Sequence, residues 1–198
     1  MSCNVRVLNA CVNTDCLDIE SNNMYLAKKC SYNYLSDDYT TLNHGDHYIK
    51  VYKTDKKHYP ILNAYTKFPQ DSYHTIVASG IKDDINLFVV PDAHYPINST
   101  KAYIRFVNLS PDAEALDFRF TDDGFIMVND VRYKETTQYY PATPDTYTVR
   151  VYLAGTNIEV LEVPHFTLRR GRVYTIYILG SVHDLYSMRY KFSTDGRY

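Results

Sequence analysis

The chain has 198 residues, enough for one large β-sandwich or two small domains. Its 21 Lys and Arg against 23 Asp and Glu give a net charge of −2, with neither sign gathered into a long block, which excludes a generic electrostatic grip on nucleic acid or on an anionic membrane. No stretch approaches the roughly 18 apolar residues of a membrane span, and residues 1–13 lack the charged-then-apolar pattern of an export leader, so the chain is expected to be made in the cytoplasm, or exported only if a leader was trimmed.

From the N-terminus onward the pattern is period two, the mark of half-buried strands. Val5 and Val7 alternate with Asn4 and Arg6, and Leu17-Asp18-Ile19, Ile49-Lys50-Val51-Tyr52 and Thr75-Ile76 with Gly80 follow. The same blocks return about one hundred residues later, a period that fits a duplicated domain. Val5-Arg6-Val7-Leu8-Asn9 falls on Ile104-Arg105-Phe106-Val107-Asn108, and Leu17-Asp18-Ile19 falls on Leu116-Asp117-Phe118. One residue later in register, Ile49-Lys50-Val51-Tyr52 falls on Val149-Arg150-Val151-Tyr152, and Thr75-Ile76 with Gly80 falls on Thr175-Ile176 with Gly180. The chain is therefore read as a divergent first copy over 1–91, a short, stiff proline-containing linker over 92–100, and a second copy over 101–198.

Turn-forming clusters separate the runs: Thr121-Asp122-Asp123-Gly124, Pro144-Asp145, Ala154-Gly155-Thr156-Asn157 and Arg169-Arg170-Gly171. Short strands at this spacing predict all-β structure, two tandem antiparallel β-sandwich domains of immunoglobulin-like or Greek-key plan with about seven strands each. Twenty-one tyrosines and no tryptophan suit a β-rich surface and also a surface meant to be contacted.

The run from Tyr103 to Ala113 (Tyr103-Ile104-Arg105-Phe106-Val107-Asn108-Leu109-Ser110-Pro111-Asp112-Ala113) followed by Leu116-Asp117 resembles the opening motif of a bacterial family catalogued as domain of unknown function 4397. Val131-Arg132-Tyr133-Lys134-Glu135-Thr136-Thr137 with Tyr140-Pro141, and Arg172-Val173-Tyr174-Thr175-Ile176-Tyr177, resemble its later blocks, so the second copy is the clearer match, over roughly 101–192. In the first copy Cys11-Val12-Asn13-Thr14 stands where the second has Ser110-Pro111-Asp112-Ala113. The resemblance implies a β-sandwich module, usually in tandem and usually on exported or cell-surface proteins, and it brings no catalytic residues.

All four cysteines, Cys3, Cys11, Cys16 and Cys30, lie in the first thirty residues. Their spacing fits a structural zinc site poorly. A Cys11–Cys16 disulfide, small buried or half-exposed thiols, and thiols that cross-link neighbouring subunits remain open, and all four are candidate cross-linking residues. His44 and His47 flank Gly45-Asp46 in what reads as a polar turn rather than a metal site, and Asp83-Asp84 and Asp122-Asp123 lack the alternating oxygen ligands of a calcium loop. No Gly-x-Ser-x-Gly elbow or phosphate loop is present. Neither a catalytic residue, a cofactor nor a metal ligand is assigned. Asn9 and Asn108 are expected to shape the turn after the first strand, which also discounts the sequon at Asn108; a second sequon stands at Asn98-Ser99-Thr100. Asp18 and Asp117 are expected to accept backbone N–H bonds in their loops.

These readings predict a non-enzymatic structural or surface-layer protein that self-associates or meets other coat proteins, in a bacterial spore or cell-envelope assembly, with the first copy bearing the interactions. The alternative is a monomeric binding or adhesion module that recognises a glycan or a protein through loops at one end of the sandwich.

Overall fold

The computed structural model describes residues 1–56, 59–93, 98, 100–120 and 127–196, and only the backbone of 185 and 186; the Thr121–Gly124 turn, most of the linker and Ser99 of the second sequon lie outside the described residues. The chain divides into two units, Met1–Asp92 and Ala93–Tyr198. The first holds β1 (Ser2–Val12), β2 (Leu17–Ser21), β3 (Met24–Cys30), β4 (Tyr34–Leu35), β5 (Thr40–Asn43), β6 (Gly45–Lys53), β7 (Leu62–Phe68), β8 (Tyr73–Ile81) and β9 (Asp84–Asp92). The second holds β10 (Ala102–Leu109), β11 (Ala115–Phe120), β12 (Met127–Arg132), β13 (Tyr140–Ala142), β14 (Thr146–Leu153), β15 (Glu159–Thr167), β16 (Val173–Ser181) and β17 (Asp184–Thr194). No helix among the described residues is long and apolar enough to cross a membrane.

Each unit is a β-sandwich. In the first, β4-β1-β8-β9, with β5 also on β1, faces β3-β2-β6-β7; in the second, β13-β10-β16-β17 faces β12-β11-β14-β15. The period-two pattern explains the packing. Val5, Val7 and Ile76 of one sheet meet Leu17, Ile19, Ile49 and Val51 of the other, and Ile104, Phe106 and Ile176 meet Leu116, Phe118, Val149 and Val151 in the second core. Strand β7 shows the alternation most cleanly: Phe68 is buried while Asn63, Tyr65 and Lys67 are exposed. Asn22 and Asn23, both at positive φ, make the two-residue turn that joins β2 to β3.

Two expectations need correction. Among the described residues the two units hold nine and eight strands rather than about seven, because short pieces such as β4 and β5 carry too little alternation to be read singly. The sheets are also not wholly antiparallel: β1 runs parallel to β8, and β10 parallel to β16. Each of these pairs joins strands distant in the chain, whose relative direction no local pattern encodes.

The parallel pairs carry the polar feature that the alternation concealed. Arg6 and Arg105 stand between inward residues and so read as solvent-facing, yet each is only 4% and 3% exposed. Arg6 Nε donates to Thr75 Oγ1 at 2.9 Å, its Nη2 lies 3.6 Å from Asp92 Oδ2, and its guanidinium sits 4.7 Å from the centre of the Tyr39 ring. Asp92 Oδ2 also accepts the Thr75 hydroxyl at 2.7 Å and the Tyr39 hydroxyl at 2.8 Å. The second unit repeats each contact. Arg105 Nε donates to Thr175 Oγ1 at 2.8 Å, Nη2 lies 3.5 Å from Asp195 Oδ2, and the guanidinium sits 4.5 Å from the Tyr139 ring, while Asp195 accepts the Thr175 and Tyr139 hydroxyls.

Two further pins recur. Asn9 Nδ2 donates to the Cys30 carbonyl and Oδ1 accepts the Cys11 N–H, as Asn108 does with Val131 and Ser110, so this asparagine ties the end of the first strand to the third as well as shaping the turn. Asp18 accepts the Lys29 N–H and Thr54 hydroxyl, and Asp117 the Asp130 and Gly155 N–H groups, the loop role expected of both. Gly80 and Gly180, at φ +151° and +114°, end the equivalent strands β8 and β16, and a Cβ on Gly180 would stand 2.7 Å from the Met188 backbone.

Asp92→Ala and Asp195→Ala each strand a buried guanidinium, and each is expected to lose about 3–5 kcal/mol of stability in urea denaturation. Losses near those of exposed substitutions, within about 0.5 kcal/mol, would mean the cluster does not hold the sheet.

Candidate functional site

Strands β10, β14 and β16 all run toward one end of the second unit, and the loops they enter enclose a concavity of about 840 Å³. Its floor is apolar, from Ala113, Leu153 and Val182, and its polar groups are Asp112, Asp117, Arg119, Asp130 and His183. The size and the mixture of apolar floor with a few fixed polar groups fit a small-ligand or side-chain site.

The polar groups are held in place. Asp112 accepts the Ser181 hydroxyl and, at 3.0 Å, the Val182 N–H. Burial works upward on its pKa, but these hydrogen bonds and nearby His183 outweigh it and hold the carboxyl below the ordinary aspartate value. The carboxylate is thus the form the loop is built around; its contribution to stability is complete above the ordinary aspartate pKa and is lost as pH falls through the lower folded value. Arg119 lies against the Tyr152 ring at 4.3 Å, donates to the Thr156 carbonyl at 3.2 Å, and comes within 3.8 Å of Asp117. Its Nε is buried without a hydrogen-bond partner, so one donor of an already oriented guanidinium is left over.

The first unit shows what the same end looks like when it is closed. There the concavity is about 400 Å³, lined by Asn13, Thr14, Asp15, Lys53, Lys82 and Asp83. Lys53 Nζ spans it, 2.9 Å from Asp83 and 3.9 Å from Asp15. In the repeat register Lys53 corresponds to Leu153, Lys82 to Val182 and Asp83 to His183. The second copy has therefore lost the cation that pins the loops together, and the space stays open. This places the larger candidate site in the second copy, whereas the sequence pointed to the first.

The four cysteines do not form one site. Cys3, Cys11 and Cys30 are buried in the core of the first unit and Cys16 is half-buried in the β1–β2 loop; all four are free thiols. Burial pushes the Cys11 and Cys30 thiols up to about 12, with Asp18 and Cys16 adding to the effect at Cys30, and raises Cys3 as well. Only Cys16 keeps solvent access, so cross-linking through the others requires the unit to open. His47 stands inside β6 rather than in a turn, with Nδ1 2.7 Å from the Ser21 hydroxyl and Nε2 2.8 Å from the Asn43 carbonyl, so both ring nitrogens are already engaged; His44 is exposed. No group of three or more metal-ligating side chains occurs among the described residues. Asp83 is the partner of Lys53.

Sequence reasoning marked Asp117 only as a loop cap and passed over Asp112, Arg119, Asp130 and His183. The available signal was the exchange of Lys53 for Leu153 and Asp83 for His183 between otherwise matching copies.

Alkylation of the native protein at neutral pH is expected to modify Cys16 alone, with Cys3, Cys11 and Cys30 reacting only after denaturant is added. Mass spectrometry of the labelled peptides checks this, and prompt labelling of Cys11 or Cys30 in the native state would contradict the core placement.

No curated protein shows a significant match to the chain. A family model described as a domain of unknown function, DUF4397, matches residues 3–119, which spans the whole first sandwich and the opening strands of the second. The match thus falls chiefly on the copy whose motifs resemble the family less, and it includes the first copies of the Arg6, Asn9 and Asp18 pins and their second-unit counterparts at Arg105, Asn108 and Asp117. By this match over more than half of its length, and by the sandwich it folds into, the chain belongs to the DUF4397 family.

Proposed function

We propose that the protein is a non-catalytic binding module that recognises a glycan or a protein segment through the loop end of its second sandwich. The observation that carries this reading is the contrast between the two copies: the concavity spanned by Lys53 in the first unit is open in the second, with Asp112 and Arg119 already oriented by their own hydrogen bonds. Pre-oriented polar groups bind at lower entropic cost than mobile ones. Loops carried on a rigid sandwich are where such modules place their contacts. The exported or cell-surface setting that the family resemblance implies supports a site of action at the cell envelope.

Self-association into a structural layer is the second reading, favoured by the exposed pair Tyr48 and Tyr65. Their rings meet at 5.9 Å on the hairpin of β6 with the edge strand β7, and they are 55% and 62% exposed. An open edge flanked by tyrosine can accept a strand from a neighbour. The burial of three thiols leaves Cys16 as the accessible thiol for oxidative cross-linking, and the open edge carries the rest of the reading.

Glycan and peptide arrays probed with the wild-type protein and with a Leu153→Lys, His183→Asp variant test the first reading. The variant rebuilds the ion pair of the first unit across the second, and at least about a tenfold loss of affinity is expected for any ligand found. Equal binding by the two proteins would remove the loop end from consideration. Light scattering at several concentrations, with and without reductant, tests the second: a mass fixed at 23.0 kDa rules out self-assembly, and growth abolished by Tyr48→Ser and Tyr65→Ser supports it.

A further inference from the structure

Two buried histidines of the first unit share one phenylalanine ring. His47 of β6 and His74 of β8 lie 5.1 Å and 5.0 Å from the Phe68 ring, and they are 5% and 8% exposed. Their nitrogens are served differently. His47 Nε2 stands 2.8 Å from the Asn43 carbonyl, and its Nδ1 2.7 Å from the Ser21 hydroxyl, which can turn to accept, so a second proton on this ring keeps both contacts. His74 has no such provision. The Ser72 hydroxyl donates its one proton to the Pro69 carbonyl at 2.6 Å, so towards His74 Nε2, 2.8 Å away, it can only accept, and the ring proton belongs on Nε2. Nδ1 therefore carries the lone pair, and among the described residues it is buried with no hydrogen-bond partner.

A proton added at Nδ1 would be a buried charge beside Val5 and Phe68 with no acceptor. Burial accordingly holds the imidazole below the ordinary histidine value. The surrounding elements bring no charge to offset this. On β1 the same face carries Cys3 and Val5, while Arg6 turns to the opposite face and holds Asp92 of β9 there. Strand β6 contributes His47, and His44, Asp46, Lys67 and Asp71 are exposed. The turn that ends at Ser72 also fastens the start of β1: the Asp71 N–H donates to the Ser2 carbonyl and the Asn4 N–H to the Ser72 carbonyl, each at 2.8 Å. Between those two bonds Cys3 is buried, its thiol 3.4 Å from the Asn43 carbonyl. The second unit has Tyr174 in the place of His74, a phenol with no basic nitrogen.

We infer that His74 is an acid-sensitive latch of the first unit: in mild acid its ring takes a second proton only by reaching water, and the Pro69–Ser72 turn and the start of β1 part to let it out. The neutral ring contributes fully to the closed form above the ordinary histidine value, and that contribution is lost as pH falls through it toward the lower folded value. The open form gains its proton near about pH 6.5, so from about pH 7.5 to about pH 5 the closed form loses up to about thirtyfold in its ratio to the open one. What the opening uncovers is Cys3, with the Phe68 ring beside it in the same core. The latch lies in the first unit and the loop-end concavity in the second, so it stands or falls independently of the function proposed above.

All four cysteines lie in the first unit, so thiol labelling of the full chain reports on that unit alone. Dithiodipyridine reacts with thiols in mild acid as well as at neutral pH, and dividing the labelling rate of Cys3 by that of accessible Cys16 cancels the pH dependence of the reagent. From about pH 7.5 to about pH 5 this ratio is expected to rise about tenfold or more in the wild-type chain and less than about twofold in His74→Gln and in His74→Phe. Histidine ring resonances followed by NMR over the same range give a check that needs no substitution, with His74 expected to gain its proton only as Cys3 opens. The inference is overturned if the wild-type ratio stays flat, if the substituted chains show the same rise, or if the His74 ring titrates while Cys3 stays closed.

Discussion

A guanidinium taken out of water must find a carboxylate in the same dry space, and this requirement is met twice in the chain with the same four residue types. Arg6 with Thr75, Asp92 and Tyr39, and Arg105 with Thr175, Asp195 and Tyr139, each join the first strand, its parallel neighbour, the end of the last strand and the segment that returns along the edge. A buried pair of this kind is weak as a source of net stability, because desolvation offsets most of the attraction. Its effect is on specificity. A slip of one residue in the β1–β8 register would set Arg6 opposite Ile76 or His74 instead of Thr75 and take it away from Asp92, so only one pairing satisfies both charges.

That constraint matters most where the sheet needs it. Parallel pairing of strands some seventy residues apart in sequence has no hairpin to set its register, unlike the Asn22-Asn23 turn that fixes β2 against β3. The asparagine and aspartate pins then fasten the first strand to the third and the loops to the second sheet. With the scaffold held by buried polar contacts that are the same in both copies, the loops at the strand ends are free to differ.

They do differ, and in a direction that physical chemistry makes legible. In the first unit Lys53 neutralises two carboxylates across the loop end, which costs little at the surface and leaves a shallow space. In the second the equivalent position is Leu153, the loops are tied by Asp112 to the backbone instead, and the space is about twice as large. The entry turn of β16, at the far end of the same sandwich, carries the exposed Arg169 and Arg170. One unit thus presents carboxylates at one end of β16 and guanidinium groups at the other.

The sequence by itself determined the all-β class, the two copies, the inward residues of most strands and the loop roles of Asp18 and Asp117, because each of these is written in alternation, spacing or turn chemistry within a few residues. Asn9 and Asn108 were read as structural for the same reason, although their contact with the third strand was not visible. The tertiary structure alone decided the fate of Arg6 and Arg105, whose alternation marked them as solvent-facing. Their hydrogen-bonded threonines and ion-paired aspartates lie about seventy to ninety residues away, and the two aspartates stand at different offsets from the repeat blocks, so no local pattern connects them. It also decided that Cys3, Cys11 and Cys30 are core side chains, and that the open site belongs to the second copy. A concavity is a sum over loops from several strands, and one lysine replaced by leucine acquires meaning only when those loops are brought together.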